Sequence, residues 1–236
     1  MSPEGEVRHL PGLTIASANT SLPTFNAAFL TSPGRWEQQV ATARSYFAAR
    51  QRPGVLVVCE DWLDEEARAV IAASAAKSDM RLTGMAADSL VDPLRELPDL
   101  VFRRVEDEDT RLALADMNSL SYGMPVDWGR EAVGKDQHWG GTNFGHIGYL
   151  NDQPVTAAAT LALGGVLYVA WVATLPSHRQ RGYAEAVMRH SLAEARRTTG
   201  IQRSALHATP AGYPIYLRMG FQPLREFVLF GWTLSH

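Results

Sequence analysis

The spacing of apolar positions changes several times along the chain, and each change marks an element. Residues 24–30 form an extended apolar run. Trp36, Val40, Ala43 and Phe47 then recur at helical spacing, and a second apolar run, Val55–Cys59, starts behind Pro53-Gly54. Asp64 stands where a second helix needs its cap; Ala67, Val70, Ile71, Ser74 and Ala75 share one small-residue face, and Met80–Ala87 returns as a strand. Between Asp92 and Asp99, Pro93 and Pro98 alternate with acids and leucines, which is linker composition. The order up to this point is strand, helix, strand, helix, strand, and the expected domain boundary falls between residues 98 and 99.

The second half opens with a short strand, Leu100–Val105, and the acids Glu106–Asp109 offer N-caps for a helix over Thr110–Ser121. A polar, Gly-rich stretch follows. His146–Asn151, Val155–Leu163 and Val166–Thr174 then read as strands, the last two joined through Gly164-Gly165. No charge occurs from Gln153 to Ser177, a length that would span a bilayer, but the paired glycines and the Val, Thr, Tyr and Trp content make it a buried hairpin instead. Ala184, Val187, Met188, Ser191, Leu192 and Ala195 restore a helical period, so Tyr183–Arg197 is an amphipathic helix. Gln202–Ala208 is the next strand. Gly212–Met219 is a short helix with Pro214 in its first turn and Gly220 as its stop, and Phe221–Thr233 closes as one or two strands.

Composition narrows the class of protein. A length of 236 residues accommodates two units, and 46% hydrophobic with 20% charged residues excludes a disordered or collagen-like chain. Lys and Arg number 22 against 25 Asp and Glu, so the net charge of −3 offers no overall field for nucleic acid or an anionic membrane. The single cysteine, Cys59, leaves no internal disulfide framework and no Cys-rich metal site. The opening MSPEGEVRHLPG has no apolar core of a secretory signal, and with the lone cysteine it points to the cytoplasm. No metal, nucleic-acid or membrane partner is expected.

Two segments carry chemistry. In 172–184, VATLPSHRQRGYA, a buried strand ends, a basic loop turns and a helix begins. Unpaired N–H groups and the helix dipole make such a join an anion site, and Gly182 permits close backbone approach. Arg179 and Arg181 supply mobile charge, and from Pro176 to Arg203 six arginines face two glutamates. An ordinary strand–helix connection with a solvated basic face is the alternative. The second segment, Tyr216-Leu-Arg-Met-Gly220-Phe221, is by itself a core aromatic and a helix stop.

In this order and spacing the two segments resemble the acyl-CoA N-acyltransferase (GNAT) superfamily over about residues 100–236. Arg179, Gly182 and Ala184 fill the defined positions of its [QR]-x-x-G-x-[GA] loop, with Gln180, Arg181 and Tyr183 between them. The resemblance implies an α/β fold of GNAT type: a mixed, mostly antiparallel twisted sheet flanked by helices. It also implies that the loop binds the CoA diphosphate, that the backbone of Val172, Ala173 and Thr174 pairs with the pantetheine arm, and that Tyr216 protonates the departing thiolate. Acetyl-CoA is then the cosubstrate and a small-molecule or peptide amine the acceptor. The chain departs from the family pattern at Thr209, where asparagine is frequent, and in carrying no Asp, Glu or His on the strand before the loop. Base candidates are therefore His207 first, then His146 and Tyr168, although a lone strand histidine is commonly structural. Asp127, Glu131, Asp136 and His138 are available to a cationic acceptor, or else form a solvated loop.

The first half resembles the same family in degraded form: VLVVCE stands where the second half has SALHAT, yet no matching loop occurs between Pro33 and Arg50. The expected organisation is a tandem, residues 1–98 without CoA loop and residues 99–236 catalytic. An unrelated α/β cap over residues 1–98, a non-catalytic acyl-CoA-binding module and a longer acyl donor remain as alternatives.

Overall fold

The computed structural model describes residues 5–135 and 139–232. In chain order its elements are β1 (Glu6–Leu10), β2 (Leu13–Ser17), β3 (Asn26–Leu30), α1 (Trp36–Ala49), β4 (Gly54–Cys59), α2 (Glu65–Ala73) and β5 (Lys77–Ala87). They continue as β6 (Val101–Arg104), α3 (Glu108–Tyr122), α4 (Val126–Val133), β7 (Asn143–Leu150), β8 (Gln153–Leu163) and β9 (Val166–Thr174). The last are α5 (Tyr183–Thr199), β10 (Ser204–Ala208), α6 (Tyr213–Arg218) and β11 (Gln222–Trp232). Two compact units result, Met1–Thr83 with Arg225–His236, and Gly84–Leu224.

This division differs from a cut at residue 98. In the first unit the strand order is β1-β2-β3-β4-β11. Strand β11 lies antiparallel to β4 from Phe227↔Cys59 to Trp232↔Gly54, which draws the late residues into the first unit. Val228, Phe230 and Trp232 enter one core with Phe47, Leu56, Val58 and Ile71, and the Trp232 indole donates to Ser74 Oγ at 3.1 Å. Strands β3 and β4 are parallel, joined by α1, whose Trp36, Val40, Ala43 and Phe47 are the buried stripe read from the sequence. Asp64 caps α2 by accepting from the Ala67 N–H at 2.7 Å. The β1–β2 hairpin, turning at Pro11-Gly12, is an addition to the predicted elements.

The second unit has the order β5-β10-β9-β8-β7-β6. Strands β6 to β9 pair antiparallel with their neighbours in this run, while β9 and β10 are parallel across the α5 crossover. This repeats the parallel strand–helix–strand of the first unit and makes the sheet mixed and largely antiparallel, as expected. Residues 155–160 of β8 are buried at every position, which requires cover on both faces, and α3 and α5 both pack on this strand. The core on α5 gathers Val187, Met188 and Leu192 with Met85, Phe144, Leu167, Leu206 and Phe221. Helix α3 begins in a capping box between Asp107 and Thr110. The stretch read as a Gly-rich loop contains α4, so Asp127 and Glu131 are helical; Asp136 and His138 lie outside the described residues. Residues 222–232 form one strand rather than two.

Candidate active site

The site is built where β9 and β10 part. Their ladder consists of Ser204↔Leu167 and Ala205↔Tyr168, after which neither strand has a partner residue in the other. A parallel pair that stops pairing leaves backbone N–H and C=O groups facing a gap, and such groups need partners. Val172, Ala173 and Thr174 lie on β9 beyond the separation. At the separation itself the Tyr168 hydroxyl and His207 Nδ1 are 2.9 Å apart, a hydrogen bond between the two strands.

Strand β9 is also bulged there. Ala157 pairs with Ala173 and Ala159 with Ala170, so Trp171 and Val172 together face Ala158, and Trp171 takes a φ of 50°. That conformation is strained for a tryptophan, and α3 supports it. The Asn118 amide donates to the Trp171 carbonyl at 3.3 Å, and the Tyr122 hydroxyl donates to the Val172 carbonyl at 2.8 Å. The Trp171 ring lies 5.2 Å from that of Trp139.

Beyond Thr174 the chain makes one short turn and reaches α5. Gln180 and Gly182 have φ of 62° and 83°, flanking Arg181, and this alternation turns successive N–H groups toward one side. Among the described residues no protein acceptor meets the N–H groups of Gln180, Arg181, Gly182, Tyr183, Ala184 or Glu185, and Gly182 caps α5 with no side-chain bond. An open N-terminus of a 17-residue helix is thereby left for an anion. The Tyr183 ring is buried with Ala186, Leu100 and Val155 and fixes the first turn, while Arg181 is exposed.

Arg179 does not supply mobile charge. Its Nη2 donates to the Ser121 carbonyl at 2.6 Å and its Nε to the Thr174 carbonyl at 3.2 Å. The guanidinium thus neutralises the C-terminal end of α3 and holds the end of β9, which sets the loop's path. Much of the surrounding positive field is also matched: Glu185 pairs with Arg189 at 2.9 Å, and Glu194 pairs with Arg104.

Three phenols converge on the gap. Burial pushes the Tyr216 phenol well above its ordinary value of about 10, and the neighbouring Tyr122 and Tyr168 raise it further. Burial likewise raises Tyr168 and Tyr122, the latter partly offset by the Arg179 charge. Tyr216 packs edge-on to Phe221, with ring centroids 6.2 Å apart. Gly212 leaves room for it: a methyl group there would stand 2.8 Å from Cε2 of the ring and 3.1 Å from its hydroxyl. His207 is held below its ordinary value by burial and is neutral near pH 7.

His146 is not part of this group. It is buried on β7, and its Nε2 donates to Glu194 of α5 at 2.7 Å, with His190 edge-on at 4.7 Å. Burial first, then the His190 charge, lower it to about 4 against the opposing effect of Glu194. Asp127 and Glu131 occupy α4, where Asp127 adds to the field at Arg130, itself paired with Asp116 at 2.7 Å. Tyr122 and Gly212 are site residues that the sequence did not single out. Gly212 stands four residues before Tyr216, one helical turn, and that spacing is the signal that was available.

Residues 160–224, from β8 through the loop, α5 and α6 to the start of β11, match the family model described as an acetyltransferase (GNAT) domain. The whole chain is similar in fold to a GCN5-related N-acetyltransferase from Kribbella flavida, with a TM-score of 0.73 at 20% identity over 99% of this chain and 91% of that one. It is similar to a GCN5-related N-acetyltransferase from Sphaerobacter thermophilus, with a TM-score of 0.65 at 12% identity over 95% and 78%. A tandem GNAT protein from the clavulanic acid biosynthesis pathway gives 0.57 at 12% identity over 95% and 79%. No curated protein matches the sequence.

Proposed function

From a chain that carries a GNAT acetyltransferase domain at residues 160–224 within the fold of a tandem GNAT protein, we propose a cytoplasmic N-acetyltransferase that moves an acetyl group from acetyl-CoA to a primary amine of a small molecule or peptide. The observation that carries this reading is the continuity of an unpaired β9 edge with an open, N–H-lined helix terminus. An extended arm bearing an anion at one end fits such a surface. The N–H groups of residues 180–184 would hold the diphosphate, and the backbone at Val172, Ala173 and Thr174 the pantetheine arm. When bound, the cosubstrate supplies a thioester-activated acyl group.

The chain's own residues then have separate tasks. Backbone at the Val172 bulge faces the carbonyl oxygen where negative charge develops. The Tyr216 hydroxyl, kept protonated by burial, donates to the sulfur as the thiolate leaves. His207, neutral and bonded to Tyr168, would take the proton of the attacking amine. The first unit has no counterpart of the residues 179–184 loop in the turn from β3 to α1, residues 31–35, and is proposed not to bind CoA.

Calorimetric titration should therefore find one CoA per chain, and two sites would defeat the assignment. Release of free CoA thiol in the presence of a panel of amines tests turnover. Binding without release is the result of a non-catalytic module, and preference for long-chain acyl-CoA in competition is the result of a different donor.

Gly212→Ala tests the seat of Tyr216. The added methyl lies 2.8 Å from the ring, inside normal contact, and the ring is packed and buried, so the hydroxyl must shift. A misplacement below 1 Å at the reacting centre is expected to lower kcat by about 10- to 100-fold with KM for the acyl donor little changed. Steady-state kinetics on the folded variant check this; an unchanged kcat removes Tyr216 from the reaction.

A further inference from the structure

Resting on the acyl-CoA reading above, we propose that Arg95, from the segment between β5 and β6, is a further diphosphate ligand that clamps the cosubstrate at the α5 terminus. The segment is anchored on both sides of this residue. Upstream, the Val91 N–H donates to the Met219 carbonyl at 3.1 Å, and Val91 and Ser89 lie against Gly220. Downstream, Leu97 and Leu100 pack with Tyr183, Ala186 and Val155. The chain between the anchors passes directly over the loop: a methyl group built on Gly182 would be 3.4 Å from Nη2 of Arg95, 3.8 Å from its Nε and 3.4 Å from Cδ of Pro98.

One of the loop's two arginines is already committed, and Arg181 is its remaining exposed cation. Arg179, the loop position whose charge the motif suggests, is committed to the carbonyls of Ser121 and Thr174. Arg95, by contrast, has no hydrogen bond or ion pair among the described residues, although Asp92, Glu96 and Asp99 are its neighbours in sequence. An exposed guanidinium held beside six unsatisfied N–H groups, and not neutralised by adjacent acids, has a geometry suited to two oxygens of a phosphate. The backbone that carries it is anchored on both sides, so less freedom is lost when it binds than for a side chain on a loose loop.

The test is calorimetric titration of the full chain with CoA and with dephospho-CoA, for wild type, Arg95→Ala, Arg95→Lys and Arg197→Ala, the last a charge control at the far end of α5. Arg95→Ala is expected to weaken CoA and dephospho-CoA equally, by about tenfold, with a shallower salt dependence, while Arg95→Lys recovers part of the loss and Arg197→Ala binds as wild type. A loss confined to CoA places Arg95 on the 3′-phosphate and overturns the diphosphate assignment. Unchanged or tighter binding by Arg95→Ala overturns it as well, the latter showing that the segment obstructs the site. If wild type binds CoA and only this variant series fails, the acyl-CoA reading stands without Arg95; if wild type binds no CoA, both fall.

Discussion

Tyr216→Phe is expected to lower kcat for acyl transfer by about 10²- to 10³-fold while KM for the acyl donor stays within about threefold. The ring keeps its edge-on contact with Phe221 and its Cε2 and Cζ contacts at Gly212, so the packing lost is confined to the hydroxyl oxygen. What disappears is a proton offered to sulfur as charge builds there. A free thiol titrates near ~8.5 and a free phenol near ~10, and burial widens that gap here by pushing Tyr216 upward. Complete proton transfer in the ground state is therefore unfavourable, and the hydroxyl acts chiefly as a hydrogen-bond donor whose contribution grows with the negative charge. Such an interaction is stronger in the transition state than in the ground state, which is why the loss falls on kcat. Single-turnover measurement of the acyl-transfer step decides the matter: a change below about threefold makes Tyr216 a core aromatic and nothing more.

Gly182→Val is expected to raise the Kd for CoA by at least about 100-fold in a chain that still folds. Two effects act together. The residue has a φ of 83°, a region that costs a β-branched side chain about 1–2 kcal/mol or more, so the loop would turn out of it and its N–H groups would no longer converge. The new side chain would also occupy the space between the loop and the Arg95–Pro98 segment, where a methyl already meets neighbours at 3.4 Å. Losing a few charge-assisted hydrogen bonds accounts for the magnitude. Circular dichroism establishes folding and calorimetric titration reads the affinity; a folded variant that binds within about threefold of wild type shows that the phosphates lie elsewhere.

The sequence revealed some layers of this molecule and concealed others, for physical reasons. Helices α1 and α5 are legible because their buried stripes, Trp36 to Phe47 and Val187 to Ala195, are continuous at helical spacing. Helix α4 is not, because Gly129 stands in its middle and reads as a loop residue. In the structure it lets α4 approach α3, where a methyl would lie 2.8 Å from the Ala115 carbonyl. Hairpin β1–β2 was invisible because β1, EVRHL, is mostly exposed and carries charge at alternate positions, with few apolar residues to set a pattern. At the site, the loop of residues 179–184 was legible as a contiguous motif. Charge alone, however, could not tell that Arg179 is bound to two carbonyls, since its partners come from α3 and β9. Tyr122 and Arg95 were missed for the same reason, since each acquires its position from contacts distant in sequence, whereas Gly212 lies one helical turn from Tyr216 and reads only as a helix start.

The passage of β11 into the first unit bears on the order in which the chain can fold as it is synthesised. Strand β4, GVLVVC, is apolar at every position and buried throughout. On its β11 side it has no neighbour until residues 227–232 exist, and by then every residue of Gly84–Leu224 has been made. The second unit can close over its own core first. Meanwhile the first unit waits with an open, aggregation-prone strand edge and without Val228, Phe230 and Trp232 in its interior. The last strand to emerge therefore completes the first unit to begin.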